Sequence, residues 1–501
     1  MRTLTYLPRS LRLRSTAPAI PALTTLLLAL TLAGCAVGPT YQKPALETPA
    51  AFKEAAVDAG QWKTAQPAEN AARGEWWKAF GDDTLDTLQD QARDANQNLK
   101  AAAARLSQAR ALQRNAEAGM FPEVDLGFGP TRQRVSPAAK GLTPDAAVQP
   151  TTLWRAQANI SYEADLFGRV SSTVDAATAD AQAGIALFRS LQLALQADVA
   201  QQYFAIRQLD ADQQFAANSV ALRANTLKLM QRRFDEGDIG ELDLVRARTE
   251  LASAQAESLG VTRSRAVAEH ALAILLGKTP AEFSLPPRPL TRIVLEVPAG
   301  LPSALLERRP DIAAAERTMA AANARIGAAK AAFFPQIDLT TTLGYESAQL
   351  GNLFHWSSRT FLLGPLIGGM LSMPLFDAGA RQAGVDRASA VYEEDVATYR
   401  QTVLNAFREV EDNLATLRIL ADQIRAQDEA VQASTRAAHL SHVQYREGAI
   451  GFLNVIDADR TVLTQQRAAA QLEGERARAT VSLIRAIGGG WELAPQKVAQ
   501  R

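Results

Sequence analysis

The chain has 501 residues, with 53 basic and 53 acidic side chains and therefore a formal net charge of zero at pH 7. This balance excludes the strongly basic surface of a nucleic-acid-binding protein, and 47% hydrophobic residues exclude an intrinsically disordered chain. Aromatic residues make up only 6% and alanine is abundant, a composition that favours long helices at close approach.

The N-terminus is organised like a secretory signal peptide. Residues 1–18 contain four arginines and no acidic residue, and the run that follows, residues 19–33, is apolar or hydroxyl-bearing. Leu32-Ala33-Gly34-Cys35 resembles the lipobox of bacterial lipoproteins, in which the cysteine receives a diacylglyceryl group and, after cleavage, an N-acyl chain such as palmitate. Cys35 is the only cysteine, which fits a thiol reserved for lipid and no disulfide framework. In such lipoproteins Ala36, rather than aspartate, favours the outer membrane.

Proline placement marks the helical parts of the chain. Residues 151–279 and 375–494 contain no proline, whereas the other segments hold all 23. Because a proline inside a helix costs about 3 kcal/mol, these Ala-, Gln-, Leu- and Arg-rich blocks predict helices. A glycine-containing turn interrupts each block, at residues 235–241 and 447–452. Each block therefore predicts a helical hairpin whose first helix has about 65 residues and is roughly 100 Å long.

The two halves of the chain repeat one pattern. The matching segments, offset by about 211 residues, are Phe234–Ala247 with Tyr445–Ala458, Met120–Leu126 with Phe333–Leu339, and Asp165–Gly168 with Pro374–Asp377. In the first pair an aromatic residue, two glycines, a leucine and an alanine coincide. Each half therefore predicts a helix, a β-hairpin and two long helices, in that order.

Each predicted β-hairpin has residues of alternating polarity. The apolar positions of the alternation are Val124, Leu126, Phe128, Trp154, Ile160, Ile337, Leu339 and Leu343. A period of two predicts strands with two different faces. One such hairpin alone would favour a soluble hairpin on a core, but two copies in a lipoprotein favour a transmembrane β-barrel.

The number of strands predicts self-association. Four strands cannot close a barrel, and an open sheet edge is not tolerated in lipid. Two copies would give eight strands, whose interior is filled with side chains, and three would give twelve, with an aqueous lumen. The sequence therefore predicts a mainly α fold with a transmembrane β portion that several chains complete together.

The lipobox, the duplicated halves, the Phe-Pro dipeptide before each first strand and the two G-x-x-G turns together resemble the outer membrane factor family. These are the TolC-like exit ducts, and the likeness is greatest to their lipoprotein branch in drug efflux. It covers residues 35–490 and implies a homotrimer. Four strands per chain would form a 12-stranded β-barrel in the outer membrane, and the long antiparallel helices a periplasmic α-barrel with a belt of shorter helices.

The resemblance also implies partners and a gate. A periplasmic adaptor protein, joined to an inner-membrane transporter, would dock at the turns that contain Gly237, Gly240, Gly448 and Gly451. In the family a hydrophobic ring and an acidic ring close the tunnel, and the matching residues are Leu453 and Asp457. Arg246, the repeat equivalent of Asp457, and Tyr445, one turn before the break, are expected to help latch the closed state. Ile450 stands where some relatives have arginine, so the latch contacts are expected to differ.

These features divide the chain into a short series of segments. They are a signal peptide (1–34), an N-terminal lipid-anchored extended segment (35–81), a first repeat (82–279), a linker (280–301), a second repeat (302–490) and a C-terminal tail (491–501). Each repeat has a belt helix (about 82–118 or 302–332), a β-hairpin (about 121–166 or 334–376) and a helical hairpin (about 168–279 or 380–488).

No motif predicts catalysis. The sequence has no phosphate-binding loop or nucleophile elbow, so we expect neither an enzyme nor a cofactor beyond the lipid on Cys35. His439 and His442 have a metal-site spacing but no third ligand nearby, which favours a solvated helix face. The resulting hypothesis is a passive, gated exit duct for drugs or other small molecules. One alternative is a duct for secreted polypeptides. Another is a structural envelope lipoprotein, and the duplicated strand pairs argue against this second alternative.

Overall fold

The computed structural model describes residues 37–45, 49, 51–54, 74–292, 295, 297, 305–306, 308–363, 369–373 and 375–489. The signal peptide, Cys35 and the C-terminal tail lie outside these residues. The chain divides into a β unit, with residues up to 41, 114–176 and 322–390, and a helical unit, with residues 42–113, 177–321 and 391 onward.

Two long helical hairpins account for most of the chain. The helices are α1 (Asp83–Ala95), α2 (Gln97–Ala118), α3 (Arg169–Asp235), α4 (Glu241–Leu275), α5 (Pro310–Ala331), α6 (Ala380–Arg446) and α7 (Phe452–Ala486). Helices α3 and α6 each have 67 residues, and α4 and α7 each have 35. Helices α6 and α7 begin 211 residues after α3 and α4, which confirms the duplication and the long antiparallel helices.

The helix predicted for residues 82–118 is two helices, because Asn96 leaves the helical conformation with ψ at 125°. Its side chain replaces the helical hydrogen bonds that are lost there. The amide nitrogen donates to the carbonyl of Leu275 at 2.8 Å, and the amide oxygen accepts from the backbone N–H of Leu99 at 2.9 Å. Asparagine is a favoured N-cap residue, so the same side chain ends α1 and begins α2.

The strands form one antiparallel sheet in the β unit. They are β1 (Glu123–Gln133), β2 (Thr151–Ala164), β3 (Gln336–Ser347), β4 (Arg359–Leu363) and β5 (Gly369–Ser372). The order is β1-β2-β3-β4, and β5 also pairs with β3. The predicted fourth strand is therefore present as two short segments on the same partner, and residues 364–368 between them lie outside the described residues. The β2–β3 pairing joins the two repeats.

The pairing register gives this sheet one apolar and one polar face. Directly opposed residues share a face, so Leu126, Ala158, Leu343 and Phe361 form an apolar row across four strands. Leu126 is 86% exposed and Phe361 73% exposed. Rows on the other face are polar and include an ion pair between Arg155 and Glu346 at 2.8 Å. The predicted alternation is thus present as an apolar face whose residues include the largely exposed Leu126 and Phe361.

The core of the helical unit gathers large side chains from the short and the long helices. Tyr203, Phe204 and Ile206 of α3 are buried there with Leu272 of α4 and Ile484 of α7. Trp76, Trp77, Leu85 and Leu88 come from the segment before and within α1. This cluster brings Trp76, Trp77, Tyr203 and Phe204 together in one core.

Asp210 holds the start of the segment that links the two repeats in place. Its buried carboxylate accepts hydrogen bonds from Arg207 at 2.9 Å, Arg265 at 2.6 Å and the backbone N–H of Arg288 at 2.9 Å. The two arginines in turn donate to the carbonyls of Pro286 and Leu285. Because charge-assisted bonds are directional, this network fixes the path of the chain as it leaves the first repeat.

The N-terminal segment of the β unit lies against α3 and α5. The backbone N–H of Val37 donates to the carbonyl of Phe167, and Asn323 donates to the carbonyl of Pro39 at 2.9 Å. Gly38 packs directly on Gly327, where an added Cβ would lie 3.1 Å from the Cα of Gly38. Among the described residues, no helix is long and apolar enough to cross a membrane.

Candidate functional site

Each long hairpin turns through the same backbone motif. At the end of α3 the N–H of Gly237 bonds to the carbonyl of Phe234, and that of Asp238 to the carbonyl of Arg233. Gly448 and Ala449 repeat both bonds at the end of α6. This is the Schellman arrangement, which requires a left-handed residue. Accordingly, φ is +79° at Gly237 and +76° at Gly448.

The second glycine of each turn has a different role. Gly240 and Gly451 are the N-cap residues of α4 and α7, with φ near −77° and −79° and ψ at 160°. This is extended backbone that any residue adopts, so positive φ accounts for only the first glycine of each predicted pair. An added Cβ at any of the four glycines meets no atom within 4 Å.

An apolar cluster joins the two hairpins beneath these turns. Its buried residues are Met230, Leu244, Ala247, Phe452, Val455 and Ile456, with Leu227, Ile239 and Tyr445 packed against them. Because the cluster draws on all four long helices, the two turns form one structural site, which we call the tip.

Tyr445 is the polar member of the tip. Its hydroxyl accepts a hydrogen bond from Arg233 at 2.8 Å, and its ring lies 5.7 Å from that of Phe452. The resemblance implied a latch in which Tyr445 acts with Arg246 and Asp457. The arginine that donates to Tyr445 in this chain is Arg233, near the end of α3.

The two predicted ring residues follow the second turn. Leu453 is 47% exposed, although its neighbours Phe452 and Val455 are buried. Asp457 is exposed and lies 3.9 Å from Arg460 on its own helix. Arg246 pairs with Asp243 at 3.5 Å, also on its own helix. Within the described part of one chain, no ion pair joins Arg246 to Asp457.

Two layers of ion-paired side chains lie beyond the tip, along α4 and α7. In the first, Glu250 is buried and pairs with both Arg223 of α3 and Arg460 of α7. In the second, seven residues farther on, Glu257 pairs with Arg467. No motif in the sequence predicted these ion pairs. A signal was present, because the two glutamates and the two arginines each have the spacing of one heptad.

His442 has a structural partner. Its Nε2 lies 2.9 Å from Asp459 Oδ1, which joins α6 to α7 within the second hairpin. Among the described residues no group of three or more His, Cys, Asp or Glu side chains is arranged to hold a metal ion.

The comparisons with known proteins bear on the whole chain. The family model for outer membrane efflux proteins matches residues 88–278 and, a second time, residues 301–489. The chain belongs to the outer membrane efflux protein family. The two matches coincide with the two repeats, so the duplication belongs to the family pattern.

Relatives of this efflux protein are similar along their full length. The toluene efflux pump outer membrane protein TtgF of Pseudomonas putida is 34% identical over 473 residues, which are 93% of this chain and 96% of that protein. The structure of the outer-membrane channel OprN matches with a TM-score of 0.81 at 31% identity and covers 91% of this chain and 100% of that one.

A third match is to a channel that was solved in its open state. The open state of the MtrE outer membrane channel of Neisseria gonorrhoeae matches with a TM-score of 0.77 at 29% identity, over 91% of this chain and 98% of that one. Together these findings make the present chain an outer-membrane channel subunit of an efflux system.

The turn geometry predicts unequal tolerance of the two glycines. Gly237→Ser forces a side chain into a left-handed conformation, at a cost of about 1–2 kcal/mol. Gly240→Ser places a favoured N-cap residue on extended backbone and is the matched control. In thermal unfolding of the purified protein followed by circular dichroism, the midpoint should fall for Gly237→Ser and stay level or rise for Gly240→Ser. Equal midpoints would contradict the assignment of the two roles.

Proposed function

We propose that three copies of this chain form a passive, gated duct in the outer membrane, the exit of a tripartite efflux pump. The observation that carries the proposal is the sheet of the β unit. It combines an exposed apolar face with a polar face, and its end strands, β1 and β4 with β5, have one neighbour each among the described strands.

The sheet geometry supports closure by several chains. In hydrocarbon, unpaired N–H and C=O groups at a sheet edge are too costly to persist, so each edge needs a partner strand. With four strands from each chain, three chains give a twelve-stranded barrel with room for a lumen. The apolar face then meets lipid, and the Arg155–Glu346 face lines the water-filled interior.

Small apolar molecules are the proposed cargo. A 34% identical relative that matches over nearly its whole length is named as part of a toluene efflux pump. The chain supplies the path for the cargo through the outer membrane, and an inner-membrane transporter supplies the energy for transport. The transporter would reach the tip through a periplasmic adaptor that contacts the turns at Gly237, Gly240, Gly448 and Gly451.

The gate of the duct is proposed at Leu453 and Asp457. Both side chains are exposed at the start of α7 although the residues beside them are buried. Three copies of each would form an apolar ring and an acidic ring. Tyr445, bonded to Arg233, holds the second hairpin to the first at this level. Arg246, half-buried on α4, is the cation that a neighbouring copy would meet.

The lipid on Cys35 is proposed as the membrane anchor. The residues that follow it, Val37 to Pro39, are bonded to the carbonyl of Phe167 and to Asn323. Phe167 lies in the short connection between β2 and α3, so the anchor would sit at the end of the sheet that leads into the helices. Several acyl chains hold far better than one, because each buried CH₂ adds about 0.8 kcal/mol.

The test of the efflux function is the accumulation of a hydrophobic fluorescent dye. A strain that lacks the gene should accumulate more dye than the same strain with the gene restored, because the pump then lacks its exit. Restoring a copy with an early stop codon is the control. Dye levels that are equal in all three strains, with the pump energised and no other duct expressed, would contradict small-molecule efflux and favour a polypeptide cargo.

Removal of the ring charge should loosen the gate. Asp457→Ala deletes an acidic residue at the narrowest part of the proposed duct, where the carboxylates would bind cations or arginine to stay closed. We expect a severalfold rise in single-channel conductance in planar bilayers. Asp422→Ala, which removes an exposed carboxylate of α6 paired with Arg425, is the control and should leave conductance unchanged. Wild-type conductance of Asp457→Ala would place the gate elsewhere.

Loss of the lipid should be visible directly. Cys35→Ser removes the only thiol, so the variant should incorporate no labelled palmitate, while its strands still allow insertion. Ala36→Ser, which leaves the thiol in place, is the matched control for processing. Normal labelling of Cys35→Ser would contradict the lipobox assignment.

A further inference from the structure

The apolar face of the sheet carries charges at one end only. The register places alternate residues of each strand on this face, among them Leu126 on β1 and Phe361 on β4. The charged residues on this face of the described strands are Arg132 and Arg359, both at the end of the sheet away from the helices. The acidic residues of the described strands lie on the polar face and are Glu123, Asp125, Glu163, Asp338 and Glu346.

Aromatic side chains lie between the apolar part of this face and its arginines. Beyond the row of Leu343, the next row toward the loops contains Phe128, Tyr345 and Arg359. Trp154 follows on β2, and its ring centroid lies 6.4 Å from that of Phe128. Aromatic rings favour the boundary between hydrocarbon and lipid headgroups. The order from aliphatic to aromatic to cationic residues therefore fits a surface that crosses this boundary.

The loop between β3 and β4 extends the face with further aromatic residues. Leu353 is fully buried, whereas its neighbour Phe354 is 68% exposed and Trp356 is 78% exposed. The hydroxyl of Ser358 donates to the carbonyl of Asn352 at 2.7 Å, which closes the loop across these residues. The loop therefore has a defined shape that presents two large apolar side chains outward, as an interaction site does.

Both exposed rings contact residues of the apolar face. Phe354 lies against Tyr345, with the ring centroids 5.6 Å apart, and the guanidinium of Arg359 lies over the ring of Trp356. An arginine stacked on a ring still presents N–H donors at its edge, and their spacing matches two oxygens of a phosphate. Among the residues that the structure describes, no carboxylate forms an ion pair with Arg359 or Arg132.

A phosphorylated lipid matches both properties of this surface. A soluble anion would satisfy the arginines but would leave the rings of Phe354 and Trp356 in water. A second copy that presented the same face would set arginine against arginine, which is unfavourable. A lipid with a phosphate in its headgroup offers hydrocarbon to the rings and an anion to the guanidinium, at adjacent depths.

We propose that Arg359 and Trp356 form a binding site for the headgroup phosphate of a lipid in the outer leaflet of the outer membrane. The rings of Phe354 and Trp356 enter the headgroup boundary, and Arg359 donates to the phosphate. Arg132 adds a second cation, because in the proposed ring β4 of one copy would neighbour β1 of the next. The proposal rests on the membrane-facing sheet of the proposed function.

The experiment titrates the purified protein in detergent with lipid A that carries two phosphates, and measures bound lipid by native mass spectrometry. Arg359→Gln should weaken binding about tenfold, because a hydrogen bond to an ionised group is lost. Trp356→Ala should also weaken binding, since it removes the ring under the guanidinium. Lys140→Gln is the matched control, because it removes an exposed cation from the β1–β2 loop at the same end of the sheet. It should bind lipid A as the wild type does.

A lipid A with the same acyl chains and no phosphate separates the headgroup from the tails. The wild type should bind it about tenfold more weakly than the phosphorylated form, whereas Arg359→Gln should bind both forms alike. Equal wild-type affinity for the two forms would overturn the site, since the tails alone would then account for binding. An equal loss in Lys140→Gln and Arg359→Gln would overturn it as well, because general charge attraction would explain that result.

Two further measurements exclude the other occupants. Inorganic phosphate at the concentration of the lipid should not displace lipid A, and displacement would instead indicate a site for free phosphate. Light scattering should give the same number of chains per particle for the wild type and Trp356→Ala. A smaller number for the variant would assign the ring to a contact between copies and overturn the lipid site.

The site and the efflux function fail separately. If Arg359→Gln leaves lipid A affinity unchanged while the gene still lowers dye accumulation, the lipid site is wrong and the duct stands. If the gene does not lower dye accumulation while Arg359→Gln weakens lipid A binding, the efflux function is wrong and the lipid site stands.

Discussion

Close approach of the long helices is the constraint on which the rest of the structure depends. Where α3 meets α7, small residues such as Ala197, Ala200 and Ala477 are fully or almost fully buried. A Cβ at Gly474 would overlap the amide of Gln208, so this contact admits glycine alone without a shift. Small side chains allow the helix backbones to approach each other closely. The few long polar side chains between the helices can then bond both hairpins. This explains why alanine is abundant in the long helices.

Much of this architecture could be predicted from the sequence, because its signals are local. The absence of proline predicted the long helices, and the spacing of Gly237 and Gly448 predicted the turns. Alternation at Val124, Leu126 and Phe128 predicted a two-faced sheet. Each of these depends on backbone geometry that a short segment determines by itself.

The parts that could not be predicted depend on partners distant in sequence. Asn96 interrupts a good helical pattern because the carbonyl of Leu275 accepts its amide, 179 residues away. Arg233 bonds Tyr445 from 212 residues away, so no local pattern in the sequence pairs the two. Glu250 and Arg460 are 210 residues apart, and only their heptad spacing hinted at a shared layer. The division of the last strand into β4 and β5 had no counterpart in the alternation pattern.

Asp210 holds the linker that joins the two repeats in one chain, and this affects how the sequence of such a ring can change. A ring built from six identical single-repeat chains would present every substitution six times, so any change at the channel axis would alter all positions at once. Joining two repeats covalently, with the junction fixed by Arg207 and Arg265, leaves each substitution in three places of the proposed trimer. Arg460 and its repeat counterpart Thr249 differ in this way: the arginine pairs with Glu250, whereas the equivalent position of the first hairpin carries no charge.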